Sequence, residues 1–271
     1  MRVFLLLILL FYPALCLCQV KKATVYKAES FDFMMGGTVT IIGAPVGSIS
    51  VEGWQKNEVA VEAEIQIQAE NEADISLLSS VTGFILDRDV NHSRVVSVGV
   101  HDRNYIKRVA RNFPRRLLNL PFRIDYKLKV PAYCDLEING GKGSFYLQGV
   151  DGTISVRFIE SGDARMNVSG GAIDAFFGNG DVQIDVLTSS WRGRFLNVGL
   201  GSGQLQVKLP VSVNAELQAS VLQNGRIDNQ FSIKPKLDEQ VNDRQIKARL
   251  GSGGAVLSFR VANGIIKILQ K

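Results

Sequence analysis

The sequence has few residues of the kinds that usually build reactive or cross-linked sites. It contains two histidines, three cysteines and seven prolines in 271 residues. Cys16 and Cys18 lie in an apolar leader, so only Cys134 remains for the rest of the chain. A single cysteine forms no internal disulfide, which excludes a small scaffold held together by such bonds. We expect Cys134 to be a buried and unreactive thiol in a strand.

The leader predicts a secretory signal peptide over residues 1–18. A short basic start precedes an almost unbroken apolar run from residue 3 to residue 18. This run is shorter than the roughly 20 residues of a membrane-spanning helix, and Pro13 and small residues follow its Leu-rich part, as in cleaved leaders. We expect cleavage after Cys18 and a mature chain that is periplasmic, on the cell surface or secreted. An uncleaved anchor is the alternative.

Long apolar runs and a strong charge of one sign are missing from the rest of the chain. Removal of a leader that contains Arg2 lowers the formal net charge from +5 to +4. A net charge this small is not typical of nucleic-acid-binding proteins. Hydrophobic residues make up 46% of the sequence, which excludes a wholly disordered chain. We therefore expect a folded, exported protein with no nucleic-acid partner.

Glycine, in contrast, is abundant, and many glycines begin a repeated unit. There are 26 glycines, against a usual share of about 7% of residues. Each unit is a glycine followed by apolar residues at every second position, and from Gly143 to Gly180 the units are 9, 10, 9 and 9 residues apart. The next spacings are 23 and 22 residues. Units of this kind begin at Gly37, Gly47, Gly143, Gly152, Gly162, Gly171, Gly180, Gly203, Gly253 and Gly264, and imperfectly at Gly225.

The repeat predicts an all-β fold, and more specifically a β-solenoid. Apolar residues at every second position are typical of a strand with one buried face. The units are too short for a strand and a crossover helix, but they fit the sides of coils of about 19 to 23 residues. A series of antiparallel hairpins is the alternative. We expect one domain over residues 19–271, with a short helix at residues 71–82 and an insertion at residues 103–120.

Several segments resemble a known family. They are residues 126–131 (YKLKVP), 136–138 (LEI), 149–152 (GVDG), 250–254 (LGSGG) and 263–268 (NGIIKI). These motifs resemble the bacterial putative-adhesin family of β-strand-repeat proteins, over roughly residues 30–271. The resemblance implies an exported or envelope-associated β-solenoid. That family has no agreed catalytic motif, so it implies no functional residues here. The chain departs from the pattern at the insertion and between Gly180 and Gly203.

Motifs for metals, cofactors and nucleophiles are lacking. Residues 140–148 match a Ca²⁺-binding β-roll repeat except that Phe145 replaces the aspartate ligand. His92 and His101 have no partner at zinc-ligand spacing, and we expect both at the surface or in turns. There is no Gly-x-Ser-x-Gly or Walker-type motif. The sequence therefore predicts no catalytic residue, no metal and no cofactor.

Carboxylates leave one enzymatic alternative open, a polysaccharide hydrolase or lyase on a β-helix. Two carboxylates at the right separation suffice for glycoside hydrolysis. Asp163, Asp181 and Asp185 occupy outward positions of alternate units and can share one face. We expect them instead to form a solvated charge ladder with Arg165. Exposed tryptophans can stack on sugars, but we expect Trp54 and Trp191 to pack at turns or edges.

The insertion is the best candidate for a functional segment. Ile106, Val109 and Phe113 are spaced three and four residues apart, which predicts an amphipathic helix over residues 103–113, before Pro114. We expect this segment to be a basic patch for anionic glycans, lipopolysaccharide or an anionic membrane surface. A helix that caps the solenoid, with its charges in water, is the alternative. The candidate binding residues are Arg103, Lys107, Arg108, Arg111, Arg115 and Arg116.

These observations favour a non-enzymatic exported protein of the cell envelope that acts by surface binding or adhesion. The carbohydrate-active enzyme is one alternative. A structural or stress-related envelope component that contacts anionic membrane through the insertion is the other.

Overall fold

The computed structural model describes residues 20–34, 36–89, 91–231 and 240–271. The predicted signal peptide and its cleavage site lie outside these residues. Within them the protein is all-β with two short helices, which confirms the predicted class and the short helical segments. No helix in the described ranges is long and apolar enough to cross a membrane.

The described residues form seventeen strands. The first nine are β1 (Lys21–Asp32), β2 (Thr38–Ile42), β3 (Ile49–Trp54), β4 (Glu58–Ala69), β5 (Gly83–Arg88), β6 (His92–Val98), β7 (Phe122–Pro131), β8 (Asp135–Gly140) and β9 (Phe145–Gln148). The others are β10 (Thr153–Ser161), β11 (Ala164–Val168), β12 (Gly170–Val186), β13 (Arg192–Leu209), β14 (Ala215–Asn229), β15 (Gln240–Val241), β16 (Gln245–Leu250) and β17 (Val256–Gln270).

The first helix, α1 (Glu72–Val81), lies where the sequence predicts it. Asn71 caps its N-terminus, where the side-chain oxygen accepts the backbone N–H of Asp74 at 2.9 Å. A capped N-terminus satisfies a backbone donor that would otherwise lack a partner. The predicted stripe of Ile75, Leu78 and Val81 is buried. The helix ends at Thr82 and β5 follows at once.

All the strands belong to one nearly closed sheet, within which two ladders can be followed. Ladder A runs in the order β5, β6, β2, β8, β10, β12, β13, β17, β14, β16, β15. Ladder B runs in the order β1, β4, β7, β3, β9, β11, β12, β13, β17, β14. The long strands β12, β13, β14 and β17 take part in both. Pairing is parallel in the middle of each ladder.

Successive repeat units do not pair with each other, so the hairpin alternative is wrong for them. Asp151 and Gly152 have the composition of a hairpin turn, and they lie between β9 and β10. However, β9 pairs in parallel with β3 and β11, whereas β10 pairs in parallel with β8 and β12. Each unit therefore pairs with units that are not its neighbours in the sequence. Antiparallel pairs occur towards the ends of the ladders, as in β1 with β4 and β14 with β16.

At the C-terminal end, the order of the strands in the sheet differs from their order in the sequence. Gly203 in β13 pairs with Gly264 in β17, and Gly264 pairs on its other side with Gly225 in β14. The last strand is thus inserted between two strands that precede it in sequence. Gly203 and Gly225, which are 22 residues apart, therefore lie on strands that are separated by β17 and do not pair with each other.

A column of glycines lines one corner of the sheet. A Cβ placed on Gly264 would lie 1.8 Å from the carbonyl oxygen of Gly203, closer than any side chain tolerates. Gly264 also has a φ of +144°, which L side chains rarely adopt. The glycine is therefore required by the close approach of the backbones as well as by its positive φ. The column consists of Gly225, Gly264, Gly203, Gly180, Gly162, Gly143 and Gly47.

The inward residues of the units form one continuous core. The rings of Phe145, Phe158 and Phe177 form a cluster in this core, in which the ring centroid of Phe158 lies 5.3 Å from that of Phe145 and 6.1 Å from that of Phe177. Cys134 is buried as predicted but lies just before β8 and not in a strand, and burial raises the pKa of its thiol to about 12. A thiol with so high a pKa is protonated at neutral pH, and the thiolate is the reactive form.

Candidate functional site

The basic insertion begins with a helix that is shorter than predicted. Helix α2 (Arg103–Val109) starts at Asp102, whose carboxylate accepts the backbone N–H groups of Asn104 and Tyr105 at 3.0 and 2.9 Å. It ends at Ala110 instead of continuing to Phe113. Pro114 disfavours helical backbone at the preceding residue, so the chain turns before it.

The apolar side chains of the insertion contribute unequally to its packing. Ile106 is buried, but Val109 is 49% exposed and so does not belong to the buried stripe that we predicted. A 3₁₀ turn, Arg115–Leu117, follows the proline and buries Leu117 completely. Beside the insertion, His101 stacks on Phe122 with ring centroids 5.2 Å apart, and burial lowers the pKa of His101.

The turn after α2 folds back to form a cleft of about 520 Å³. We call it the basic cleft. Its apolar lining comes from Ile106, Ala110, Phe113 and Leu118, and Asn119 adds an amide. Its four charged residues, all basic, are Arg103, Lys107, Arg111 and Arg115.

Four of the six predicted binding residues thus share one cavity. Within the described part of the chain, none of the four has a carboxylate at ion-pair distance. Four cations around one partly apolar cavity create a positive potential that attracts anions. Guanidinium groups bind phosphate and carboxylate oxygens with two parallel hydrogen bonds.

The other two predicted residues do not line the basic cleft. The Arg108 guanidinium lies 5.8 Å from the ring centroid of Tyr105, a cation–π arrangement. Arg116 forms a two-pronged ion pair with Asp74 of α1, in which Nη2 lies 2.6 Å from Oδ1 and Nη1 contacts Oδ2. Arg108 and Arg116 thus make contacts within the protein.

Asp74 anchors the insertion to the first helix. Its side chain is 3% exposed, and Asn71 donates a second hydrogen bond to it at 2.9 Å. The hydrogen bonds from Arg116 hold the pKa of Asp74 below its usual value, although burial acts in the opposite direction. The same contact raises the pKa of Arg116. No sequence pattern marks Asp74 as a partner of the insertion. The pattern of Asn71 followed three residues later by an acid, a capping box, marks its place in the helix but not its partner.

The three aspartates considered for catalysis do not all share one cavity. Asp163 and Asp181 line one cleft of about 540 Å³ together with Arg165. Asp185 does not line that cleft and is only 7% exposed. It lies 3.6 Å from Arg165 and 3.8 Å from Lys208, so of the predicted charge ladder the described residues show only the pair of Arg165 with Asp185.

The remaining residues singled out in the sequence make structural contacts. Trp191 is 8% exposed, and its indole N–H donates to the carbonyl of Gly171 at 3.0 Å. Trp54 donates to the carbonyl of Glu58 at 2.7 Å. His92 contacts the Thr40 hydroxyl at 2.7 Å. Over the described residues, no three His, Cys, Asp or Glu side chains are grouped so that they could hold a metal ion.

Comparisons with known proteins give distant structural likenesses. No protein-family model and no curated protein sequence matches this chain. A putative cell adhesion protein from Clostridium sporogenes is 13% identical, with a TM-score of 0.46 over 91% of this chain and 100% of its own. Putative adhesins from Bacteroides fragilis and Parabacteroides merdae are 8% and 9% identical, with TM-scores of 0.28 and 0.23. Each covers 90% of this chain, and 97% and 96% of the two adhesins are covered.

Proposed function

We propose that this protein is an exported, non-enzymatic β-solenoid of the cell envelope that attaches to anionic surfaces through the basic cleft. The observation that carries the proposal is the set of four cations around one cavity with no carboxylate partner among the described residues. Charges that serve only stability are usually paired or dispersed in solvent. Four unpaired cations around a partly apolar cavity instead suit an anionic group attached to an apolar body.

The parallel ladders support the solenoid part of the proposal. Ile154 pairs with Leu136 on one side and with Ile173 on the other, and Ile173 pairs with Leu196. These partners are 18, 19 and 23 residues apart, close to the predicted length of one coil. A core that continues through every layer supports one domain over the mature chain. The predicted leader supports export.

Vesicle binding tests the proposal. We expect the mature protein to co-sediment with phosphatidylglycerol vesicles and not with phosphatidylcholine vesicles, and to dissociate as salt is added. The combined Arg111→Gln and Arg115→Gln change should weaken binding about 30-fold, since each cation near an anionic surface contributes roughly 1 kcal/mol. Purified lipopolysaccharide and a soluble acidic polysaccharide, tested in parallel, distinguish a lipid surface from a glycan.

Arg108→Gln is the matched control. It removes one positive charge from the same insertion but outside the basic cleft, so we expect binding to change less than threefold. If Arg108→Gln weakened binding as much as the double variant, a diffuse basic surface would replace the cleft as the explanation. If no anionic probe bound, attachment through this insertion would be wrong.

A further inference from the structure

A second and longer cavity crosses the outer face of ladder B and shares no residue with the basic cleft. Two adjoining clefts of about 540 and 330 Å³ share Ser48 and Ser50, so they form one groove. We call it the strand-crossing groove. Its lining residues come from β1, β4, β7, β3, β9, β11, β12 and β13 or the residues next to them. At a strand spacing of about 4.8 Å, eight strands give the groove a length of roughly 34 Å.

Several polar side chains in this groove have hydrogen-bonding groups without a protein partner. Gln204 and Gln206 of β13 line the groove and are half-buried, and their side-chain amides have no hydrogen-bond partner in the described ranges. The hydroxyls of Ser50 and Ser144 are likewise without a partner there. Hydrogen bonds to partly enclosed amides and hydroxyls are what a ligand rich in hydroxyl groups can supply.

Other groove residues are held in fixed positions by neighbouring side chains. The Tyr146 hydroxyl donates to Gln148, whose amide donates in turn to Glu52 at 3.0 Å. The Ser48 hydroxyl donates to Asp125 at 2.6 Å. Groups fixed before binding lose little conformational entropy when a ligand arrives.

The charges of the groove distinguish it from the basic cleft. Acidic side chains outnumber basic ones along its length, so it repels a polyanion instead of attracting one. The carboxylates are Glu62, Glu64, Asp125, Asp163 and Asp181, and the cations are Lys27, Lys127 and Arg165.

We propose that the strand-crossing groove binds an uncharged linear polysaccharide that lies along it. The groove is long and presents hydrogen-bonding groups at the regular spacing of the strands, which suits a polymer of repeated units. Tyr26 is 75% exposed at the β1 end, and with Tyr146 it offers aromatic rings for the apolar faces of sugars.

A series of neutral oligosaccharides tests this proposal. The probes are cello-, malto- and chito-oligosaccharides of two to eight units, measured by calorimetry with the mature protein. We expect at least one series to bind, with an affinity that rises as the chain lengthens and occupies more of the groove. Absence of binding in all three series, equal affinity for the shortest and longest members, or preference for the polycation chitosan would overturn the proposal. So would cleavage of a bound oligosaccharide, which would make the groove a catalytic site.

Variants locate the binding. The Gln204→Ala and Gln206→Ala pair should weaken binding of the longest active probe about tenfold or more, because each removes a hydrogen bond. Tyr26→Ala should weaken it without affecting the fold, since the side chain is exposed. Gln218→Ala is the matched control, a half-buried glutamine that lines a different cleft and should bind normally. Equal losses in Gln218→Ala and in the groove variants would contradict the proposal.

The Arg111→Gln and Arg115→Gln variant separates the two proposals. It should lose binding to anionic vesicles and keep its affinity for the neutral oligosaccharide. Loss of both activities in that variant would show that the oligosaccharide does not occupy the strand-crossing groove.

Discussion

The repeat region and the basic insertion are held in place by different forces. In the repeat region, backbone hydrogen bonds join every layer, and alternate side chains are buried in one core. The insertion is held by a few side chains: Ile106 and Leu117 are buried, Asp102 caps the helix, and Arg116 reaches Asp74. Loss of one contact should therefore destabilise the insertion, whereas the ladders are stabilised by many hydrogen bonds and buried side chains.

The difference also explains where function can reside. In ladder B the outward charges of Arg165, Asp185 and Lys208 lie close together and offset one another. The insertion has no partners of this kind for the cations of the basic cleft within the described residues. Unpaired charge is tolerated on the segment that carries less of the core, as is usual for binding residues on loops held by a rigid scaffold.

We expect substitutions in the glycine column to destabilise the repeat region most. A methyl group at Gly264 would meet the carbonyl oxygen of Gly203 at 1.8 Å, in a backbone conformation with φ of +144°. We expect Gly264→Ala to reduce the free energy of unfolding by more than about 4 kcal/mol, or to abolish folding. Urea unfolding followed by circular dichroism measures the change.

Gly83→Ala is the control for this prediction. Gly83 is also buried in a strand, but a Cβ there meets only the Ile65 side chain at an ordinary 3.6 Å. The Gly83→Ala change should lower the free energy of unfolding by no more than about 1 kcal/mol. Equal stability of the two variants would show that close stacking at the corner does not limit the fold.

Removal of one large side chain from each region sharpens the comparison. Phe158 is 1% exposed and contacts two other rings, so Phe158→Ala should lower the free energy of unfolding by about 3–5 kcal/mol. Phe113 of the insertion is only partly buried, so Phe113→Ala should cost less than about 2 kcal/mol. The rate at which the buried Cys134 is labelled by a thiol reagent should rise sharply in the first variant and little in the second. Comparable labelling of both would mean that the insertion is part of the main folding unit.

The sequence predicted the repeat region better than the insertion, for a physical reason. Apolar residues at every second position indicate burial, and the glycine spacing indicates where backbones approach closely. Both patterns recur in each repeat unit. The position of β17 was not predictable, because the units that begin at Gly203, Gly225 and Gly264 look alike. Pattern alone does not state which of them are neighbours.

The candidate site was predicted in composition but not in detail. Arg103 and Lys107 lie on α2, but Arg111 lies beyond its end and reaches the basic cleft because the chain folds back. The 3₁₀ turn after Pro114 separates Arg115, which lines the basic cleft, from Arg116, which pairs with Asp74. No periodicity extends through that turn, so sequence spacing could not distinguish the two.

The anchor of the insertion should depend on pH. Because the pKa of Asp74 is held below its usual 3.8, its ion pair stabilises the fold above that pH, and the contribution disappears as pH falls through the lowered pKa. We expect Asp74→Asn to lower the urea midpoint at pH 7, by less than Phe158→Ala does, and the difference from the parent protein to shrink below pH 3.8. Asp87→Asn removes a carboxylate from an exposed pair with Arg94, so it should change the midpoint little at any pH. If the effect of Asp74→Asn did not shrink in acid, lost packing of Asn71 and α1 would account for it. The apolar contacts of Ile106 and Leu117 would then hold the insertion without a contribution from the ion pair.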